Sequence, residues 1–368
     1  MSNSDNALFQ PFETGNLKLK NRIVMAPMTR NFSPNDNIPG DNVVEYYRRR
    51  AQGGVGLIVT EGTCVDHLGA SGYPGVPYFY GEKRLAGWKK VVDAVHAEGG
   101  KIAPQLWHVG AVRKSGTMPE GDVPGYGPSG MNVPGKVNRH VMTQDDIDDV
   151  VRAFAQAAAD AKSIGFDAVE LHGAHGYLLS EFLSPQYNQR EDGYGGNAAS
   201  RAKILWDVIA GVNERCGRGF SLGVRLSPER FGQRTAEIRD LAAALLVDER
   251  LDYLDMSLWD LTKPAHDEEF DGQSLLEIFT ELPRQGVALG AAGKLYSAAQ
   301  CQSALDQGLD FVMVGRGGIL HHDFPRRALA DPEFAMADLP VTREYLQQER
   351  LGTPFIDYMA SWKGFVAD

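Results

Sequence analysis

Residues 168–177 read Ala168-Val169-Glu170-Leu171-His172-Gly173-Ala174-His175-Gly176-Tyr177. A short apolar run of strand type leads directly into a glycine-bearing turn that carries two histidines three apart and then a tyrosine. A brief run of this kind, bounded by turn residues, is the pattern of a strand buried on both faces. Seven more such runs occur along the chain: Ile23–Pro27, Leu57–Glu61, Ile102–Leu106, Leu222–Leu226, Tyr253–Met256, Val287–Gly290 and Phe311–Val314. Between most of them lie stretches at helical spacing. From Glu82 to Glu98, Leu85, Trp88, Val92 and Val95 fall on one face, and Gly99 stands as a C-terminal cap. After Thr143, Ile147, Val150, Val151, Phe154 and Ala158 repeat the i, i+3, i+4, i+7 pattern until Gly165. Strand then helix, eight times, with no linker near the middle, predicts an α/β fold: a parallel sheet closed into a (β/α)8 TIM barrel, with residues 1–368 as a single domain.

Composition narrows the function classes. Of 368 residues, 43% are hydrophobic and 23% charged, the balance of a folded chain with an ordinary core. The net charge of −11 argues against general binding to nucleic acid or anionic membranes, which calls for a basic patch. No apolar run reaches 18 residues, so no transmembrane helix is expected. Cys64, Cys216 and Cys301 are far apart, with no CxxC, which favours a reducing compartment over a disulfide framework. The start, MSNSDNALFQPFE, has no basic segment followed by an apolar one, so a cytoplasmic protein is expected. Without a secretion signal, the Asn31-Phe32-Ser33 triplet reads as a chance glycosylation match. The sequence favours neither a monomer nor a homo-oligomer. Glycine is in surplus at 41 residues, about a ninth of the chain against a typical 7%.

Much of that glycine sits where strands end: Gly62, the 173–176 turn, Gly290 to Gly293, and Gly315-Arg316-Gly317-Gly318. In a (β/α)8 barrel those ends build the active site. The stretch 109–142, after the third strand, is rich in Gly and Pro and has little periodicity; it reads as a loop excursion over the barrel mouth. It holds two nucleotide-motif matches, Gly125–Gly130 as GxGxxG and Gly130–Lys136 as GxxxxGK. Neither has the strand–loop–helix context that phosphate binding needs, and Val137 replaces the Ser or Thr of the second.

On residue chemistry alone, His172, His175 and Tyr177 admit three readings. They are catalytic hydrogen-bond and proton donors, a metal pair lacking its further ligands, or structural groups satisfying buried backbone. Gly293-Lys294 and Gly315-Arg316 follow the seventh and eighth strands, where barrels often hold a phosphate. Their backbone N–H groups and two cations favour a phosphorylated cofactor over plain turns.

These residues resemble the Old Yellow Enzyme family of FMN-dependent oxidoreductases, also called the NADH:flavin oxidoreductase family. The resemblance runs from Leu8-Phe9-Gln10-Pro11 to about Ala330. It rests on Asn21 to Thr29, Gln105-Leu106-Trp107-His108, His172 to Phe182, Asn188 to Gly196, and Gly315-Arg316. It implies FMN over the barrel mouth, with Pro27, Met28 and Thr29 at the isoalloxazine edge, Gly62 and Gln105 at its pyrimidine side, and Arg225 near N1. Gly293, Lys294, Gly315 and Arg316 would hold the phosphate. His172 and His175 would donate to a substrate carbonyl or nitro oxygen, with His172 also near the flavin, and Tyr177 would be the proton donor. Trp107, Tyr78, Tyr80 and Trp259 are further candidates for the substrate pocket. The implied reaction is reduction of the activated C=C bond of an α,β-unsaturated carbonyl, nitro or quinone-type compound by NADPH or NADH, in ping-pong order. Thr29 stands where one branch of the family has cysteine, and Asn197 where serine is usual. A metal-assisted lyase or hydrolase using His172 and His175, and a non-catalytic FMN-binding protein, are the alternatives.

Overall fold

The computed structural model describes residues 6–33, 36–117 and 121–367. A hairpin of β1 (Phe12–Thr14) and β2 (Leu17–Leu19) comes first, followed by β3 (Ile23–Met25), β4 (Leu57–Cys64) and β5 (Lys101–Trp107). Four short strands occupy the excursion: β6 (Tyr126–Gly127), β7 (Met131–Val133), β8 (Lys136–Val137) and β9 (His140–Val141). The remaining strands are β10 (Ala168–Gly173), β11 (Ser221–Leu226), β12 (Tyr253–Ser257), β13 (Ala288–Ala292) and β14 (Phe311–Val314). Eight of them, β3, β4, β5 and β10 to β14, close into a parallel barrel in chain order, with β14 pairing β3 at the register Val314↔Met25. The eight runs read from the sequence are these eight strands.

Helices α1 (Asp41–Gln52), α2 (Glu82–Ala97) and α3 (Gln144–Ser163) cover the first strands, and α4 (Leu178–Leu183) follows β10. The α3 start follows from local chemistry: the Thr143 side chain accepts from Asp146 N, and the Asp146 carboxylate accepts from Thr143 N. Gly99 and Gly165, at φ 67° and 95°, take the left-handed conformation that ends α2 and α3.

Three differences from the sequence reading bear on the site. First, β4, β10 and β13 run further than their apolar runs, so Gly62, Gly173 and Gly290 lie inside strand ends rather than in loops. In β4 the ladder shifts between Val59 and Gly62. There Glu61 is buried and paired with Arg30, and its N–H donates to Tyr47 Oη at 2.9 Å.

Second, the glycine surplus also serves the barrel interior. A Cβ on Gly223 would lie 2.0 Å from the Tyr253 ring, and one on Gly290 would lie 2.0 Å from the Phe311 ring. Those rings pack with Leu17, Leu19, Val24, Leu57, Val59 and Met313, so the β1–β2 hairpin closes the floor of the barrel. Nothing in the sequence reading anticipated that plug.

Third, the excursion is not an unstructured loop. Residues 118–120 lie outside the description. Its described residues include two small sheets, β6 with β9 and β7 with β8. They pack beside α3 and α4 through His140 Nε2 to Asp146 Oδ2 at 2.8 Å and the Glu181 carboxylate accepting from Ala111 N at 2.9 Å. Neither nucleotide-motif match leads into a helix.

Candidate active site

Two adjoining cavities open at the C-terminal ends of the strands. The smaller, about 60 Å³, is lined by Pro27, Met28, Thr29, Gly62, Gln105, Trp107, His172, His175, Tyr177 and Arg225. The larger, about 530 Å³, shares Pro27, Met28, His175 and Arg225 and extends past Trp259 to Gly293, Lys294, Gly315 and Arg316. Residues expected at both ends of a cofactor are therefore brought to one continuous depression. Tyr78 is not. The bridge between Cys64 and Tyr78 carries its segment alongside β4, where Tyr78 stacks on Tyr80 at 5.3 Å under the Arg84 guanidinium. Tyr80 faces a separate cavity with Asp66 and His67. Trp259 does reach the larger cavity, as a rim residue 65% exposed with Arg230 4.6 Å from its ring.

The β10 strand and the turn after it set the donor geometry. His172 is the strand's penultimate residue, and His175 follows in the left-handed conformation at φ 63°. Its backbone N–H is held by Ser227 Oγ at 3.0 Å and its Nε2 by Ser257 Oγ at 2.8 Å. The His172 ring lies 5.0 Å from that of His175, and its Nδ1 is buried with no partner. Burial first, and the Arg225 charge after it, hold His175 down at about 3. Burial, His175 and Arg225 keep His172 well below the ordinary imidazole value. Both rings are therefore neutral at working pH, and each carries one N–H to donate.

Tyr177 caps the start of α4. Trp107, His172 and Tyr73 surround its ring at centroid distances of 4.8, 5.2 and 6.5 Å. Burial, reinforced by the Tyr73 phenol whose Oη is 3.4 Å away, raises its pKa above the usual phenol value, so it holds its proton. Trp107 packs flat on Tyr73 at 5.6 Å and leaves its Nε1 buried without a partner. A Cβ on Gly62 would lie 2.6 Å from the Trp107 ring, so glycine is what lets the indole fold over β4.

The far end of the depression is cationic. Lys294, at φ 54°, is ion-paired with Asp260 at 2.8 Å, and Arg316 Nη1 donates to Tyr296 Oη at 3.0 Å. Trp362 and Lys363, from the C-terminal segment, complete that wall. Those two residues, with Tyr73, Ser257 and Tyr296, belong to the site but were missed in the sequence, because their own segments carry no motif. Only the register of β12 and the stacking on Trp107 bring out Ser257 and Tyr73.

FMN fits what is present. Aliphatic and aromatic walls, the Gln105 amide, Arg225 and an unpartnered His172 Nδ1 lie at the inner end. Gly315, where an added Cβ would meet only Met28 Sδ at 3.7 Å, leaves room at the cationic end. A metal reading fits less well. Among the described residues no three or more His, Cys, Asp or Glu side chains converge as a ligand set, so His172 and His175 lack further protein ligands.

Comparison with known proteins agrees. The sequence profile of the NADH:flavin oxidoreductase / NADH oxidase family matches residues 7–333. A flavin oxidoreductase, hxnT, of Emericella nidulans is 35% identical, over 87% of this chain and 89% of its own. A putative 12-oxophytodienoate reductase 4 of Oryza sativa is 38% identical, over 60% of this chain and 58% of its own. Among solved structures, morphinone reductase in complex with tetrahydroNAD superposes with a TM-score of 0.78 at 32% identity, covering 98% of both chains. An old yellow enzyme homologue from Zymomonas mobilis gives 0.78 at 30%, covering 92% of this chain and 96% of its own. The chain belongs to the NADH:flavin oxidoreductase / NADH oxidase family, that of Old Yellow Enzyme, and is an FMN-dependent oxidoreductase that takes its electrons from a reduced nicotinamide.

Proposed function

We propose that the protein reduces the activated C=C bond of α,β-unsaturated carbonyl or nitro compounds with NADPH or NADH, acting as one FMN-binding barrel unit in a reducing compartment such as the cytoplasm. The observation that carries this reading is the neutral donor pair His172 and His175 beside a protonated, buried Tyr177 in one cavity. When bound, FMN supplies the hydride exchange between nicotinamide and alkene. Pro27, Met28, Thr29, Gly62, Gln105 and Arg225 bind its ring system, and Gly293, Lys294, Gly315 and Arg316 its phosphate.

His172 and His175 donate to the substrate oxygen, where negative charge grows as the β-carbon gains a hydride. Two preorganised donors act there like an oxyanion hole, in which one donor is typically worth about 2.7–4 kcal/mol of barrier. Being neutral, they do so without a counter-charge that would trap the product. Tyr177 then delivers its proton to the α-carbon; the resulting phenolate recovers a proton from water at the open rim. Trp107 and Tyr73 wall the pocket and keep the Tyr177 ring in place. Lys294 must loosen its pairing with Asp260, or share it, to meet a phosphate.

The test is a purified protein with a flavin spectrum that oxidises NADPH or NADH when 2-cyclohexenone is added. Tyr177→Phe should slow alkene reduction by a factor of order 10²–10⁴, the usual worth of a general acid, while flavin reduction by the nicotinamide stays near wild type. Equal loss in both half-reactions removes the proton-donor role. A flavin spectrum with no turnover on any enone or nitroalkene leaves an FMN-binding protein instead.

A further inference from the structure

Beneath the histidine pair, the barrel interior holds two carboxylates that the reaction above does not use, beside the Arg225 assigned to the flavin. Glu170 on β10, Arg225 on β11 and Asp255 on β12 come from adjacent strands, with Arg225 in register with both His172 and Asp255. Glu170 and Asp255 are fully buried and Arg225 is 4% exposed. Arg225 Nε lies 2.8 Å from Asp255 Oδ2, close but not aligned as a hydrogen bond. Gln105 Nε2 donates to Glu170 Oε1 at 2.8 Å. Glu170 Oε2 and both Asp255 oxygens have no aligned donor. Two carboxylates thus face one guanidinium.

The other titratable groups around them do not balance the second charge. They are Tyr253 on β12, which lies beside Glu170, His172 and His175 above, and Asp252 at the far end of β12. On β5 the side chain that meets them is the uncharged Gln105, and Lys101, at the start of that strand, is paired with Asp167. A buried carboxylate without a counter-ion costs several kcal/mol, and two that share a site resolve this by keeping one proton between them. Burial raises both groups. Asp255 raises Glu170 further, while Arg225 opposes the rise in each.

We propose that Glu170 and Asp255 share one proton while the bound flavin is oxidised, and that they take up a second when it is reduced. They are positioning residues for charge, acting through Arg225, and the inference rests on the FMN reading given above. The nicotinamide is oxidised as its hydride carries two electrons and one proton to the flavin, whose ring then bears one negative charge above Arg225. The remaining carboxylate of the pair takes a proton from water. Flavin ring, Arg225, Glu170 and Asp255 together then have the same net charge before and after reduction.

Two measurements test this. Infrared spectra of the protein at neutral pH should contain a protonated-carboxyl C=O band that is missing from Glu170→Gln or Asp255→Asn; its absence from wild type overturns the shared proton. The flavin midpoint potential of the holoenzyme should fall by about 59 mV per pH unit near neutrality, because each proton taken up by a two-electron couple contributes about 30 mV. Glu170→Gln should return the slope to about 30 mV. A wild-type slope of about 30 mV at every pH overturns the redox-linked uptake, whether or not the variants hold FMN. A protein that binds no FMN overturns the flavin reading and with it the uptake, while the infrared band still decides the shared proton.

Discussion

Four aromatic or imidazole rings meet where Tyr177 sits, and three of them, those of Trp107, His172 and Tyr177 itself, stand in stretches legible from the sequence. The fourth, Tyr73, does not, because nothing in Ala70-Ser71-Gly72-Tyr73-Pro74 distinguishes a pocket wall from a turn. Tyr73→Ala should unseat Trp107 and Tyr177 together. The expected result is a raised KM and lowered kcat for enones with an unaltered flavin spectrum; unchanged kinetics would make Tyr73 mere packing. The same neighbourhood sets an acid limit. Folding depresses the pKa of His172 and His175, so the native state binds fewer protons than the unfolded chain. Their contribution to stability is complete above the unfolded imidazole value of about 6.5 and is lost as pH falls toward the native values, about 3 for His175. Tm should therefore drop on acidification from about 7 to about 4. His175→Asn should drop less steeply, and parallel curves for the two proteins would refute the assignment.

At the scale of elements, strands and helices could be read because each carries its own period or apolar run. The β1–β2 hairpin could not: three residues to a strand are too few to show alternation, and its reason for existing is the barrel floor it covers. Gly223 and Gly290 were opaque for a related reason. Each is glycine on account of a ring on the next strand, Tyr253 or Phe311, and a single sequence does not display neighbours in register. Gly223→Ala should therefore cost more than the roughly 1–3 kcal/mol usual for overpacking, since the obstructing ring is itself enclosed. Gly217, also glycine but with no atom near an added Cβ, serves as comparison. There an alanine meets only backbone strain: φ 67° with ψ 173° is a region that only glycine occupies freely, at a cost of about 1–3 kcal/mol to other residues. Denaturant unfolding of both variants checks the order, and a milder effect at Gly223 would show that the barrel interior yields.

Over the whole molecule, the mouth is braced from outside as well as from within. Arg30 and Glu61, which follow Thr29 and precede Gly62, form an ion pair with side chains 1% and 0% exposed. The rings of Tyr47, Tyr46 and Phe32 enclose the guanidinium at 4.3, 4.5 and 5.1 Å. Removing one partner of a buried pair leaves an uncompensated charge and typically costs 3–5 kcal/mol. Glu61→Ala should lose about that much stability in the apoprotein and weaken FMN affinity besides, because Thr29 and Gly62 both line the smaller cavity. Isothermal titration with FMN, beside thermal unfolding, separates the two effects; normal affinity would mean that the pair supports the fold alone.

The pairing of β14 with β3 joins the last strand of the ring to the first, and the larger cavity lies across that junction. Ala26, Pro27 and Met28 line one side of it, and Gly315 and Arg316 the other. During synthesis these two walls emerge nearly 300 residues apart, so a nascent chain has no cofactor site until Arg316 has left the ribosome. FMN can then act only late, as a clasp on an already assembled ring, and its loss should loosen first the contact between the two ends of the barrel.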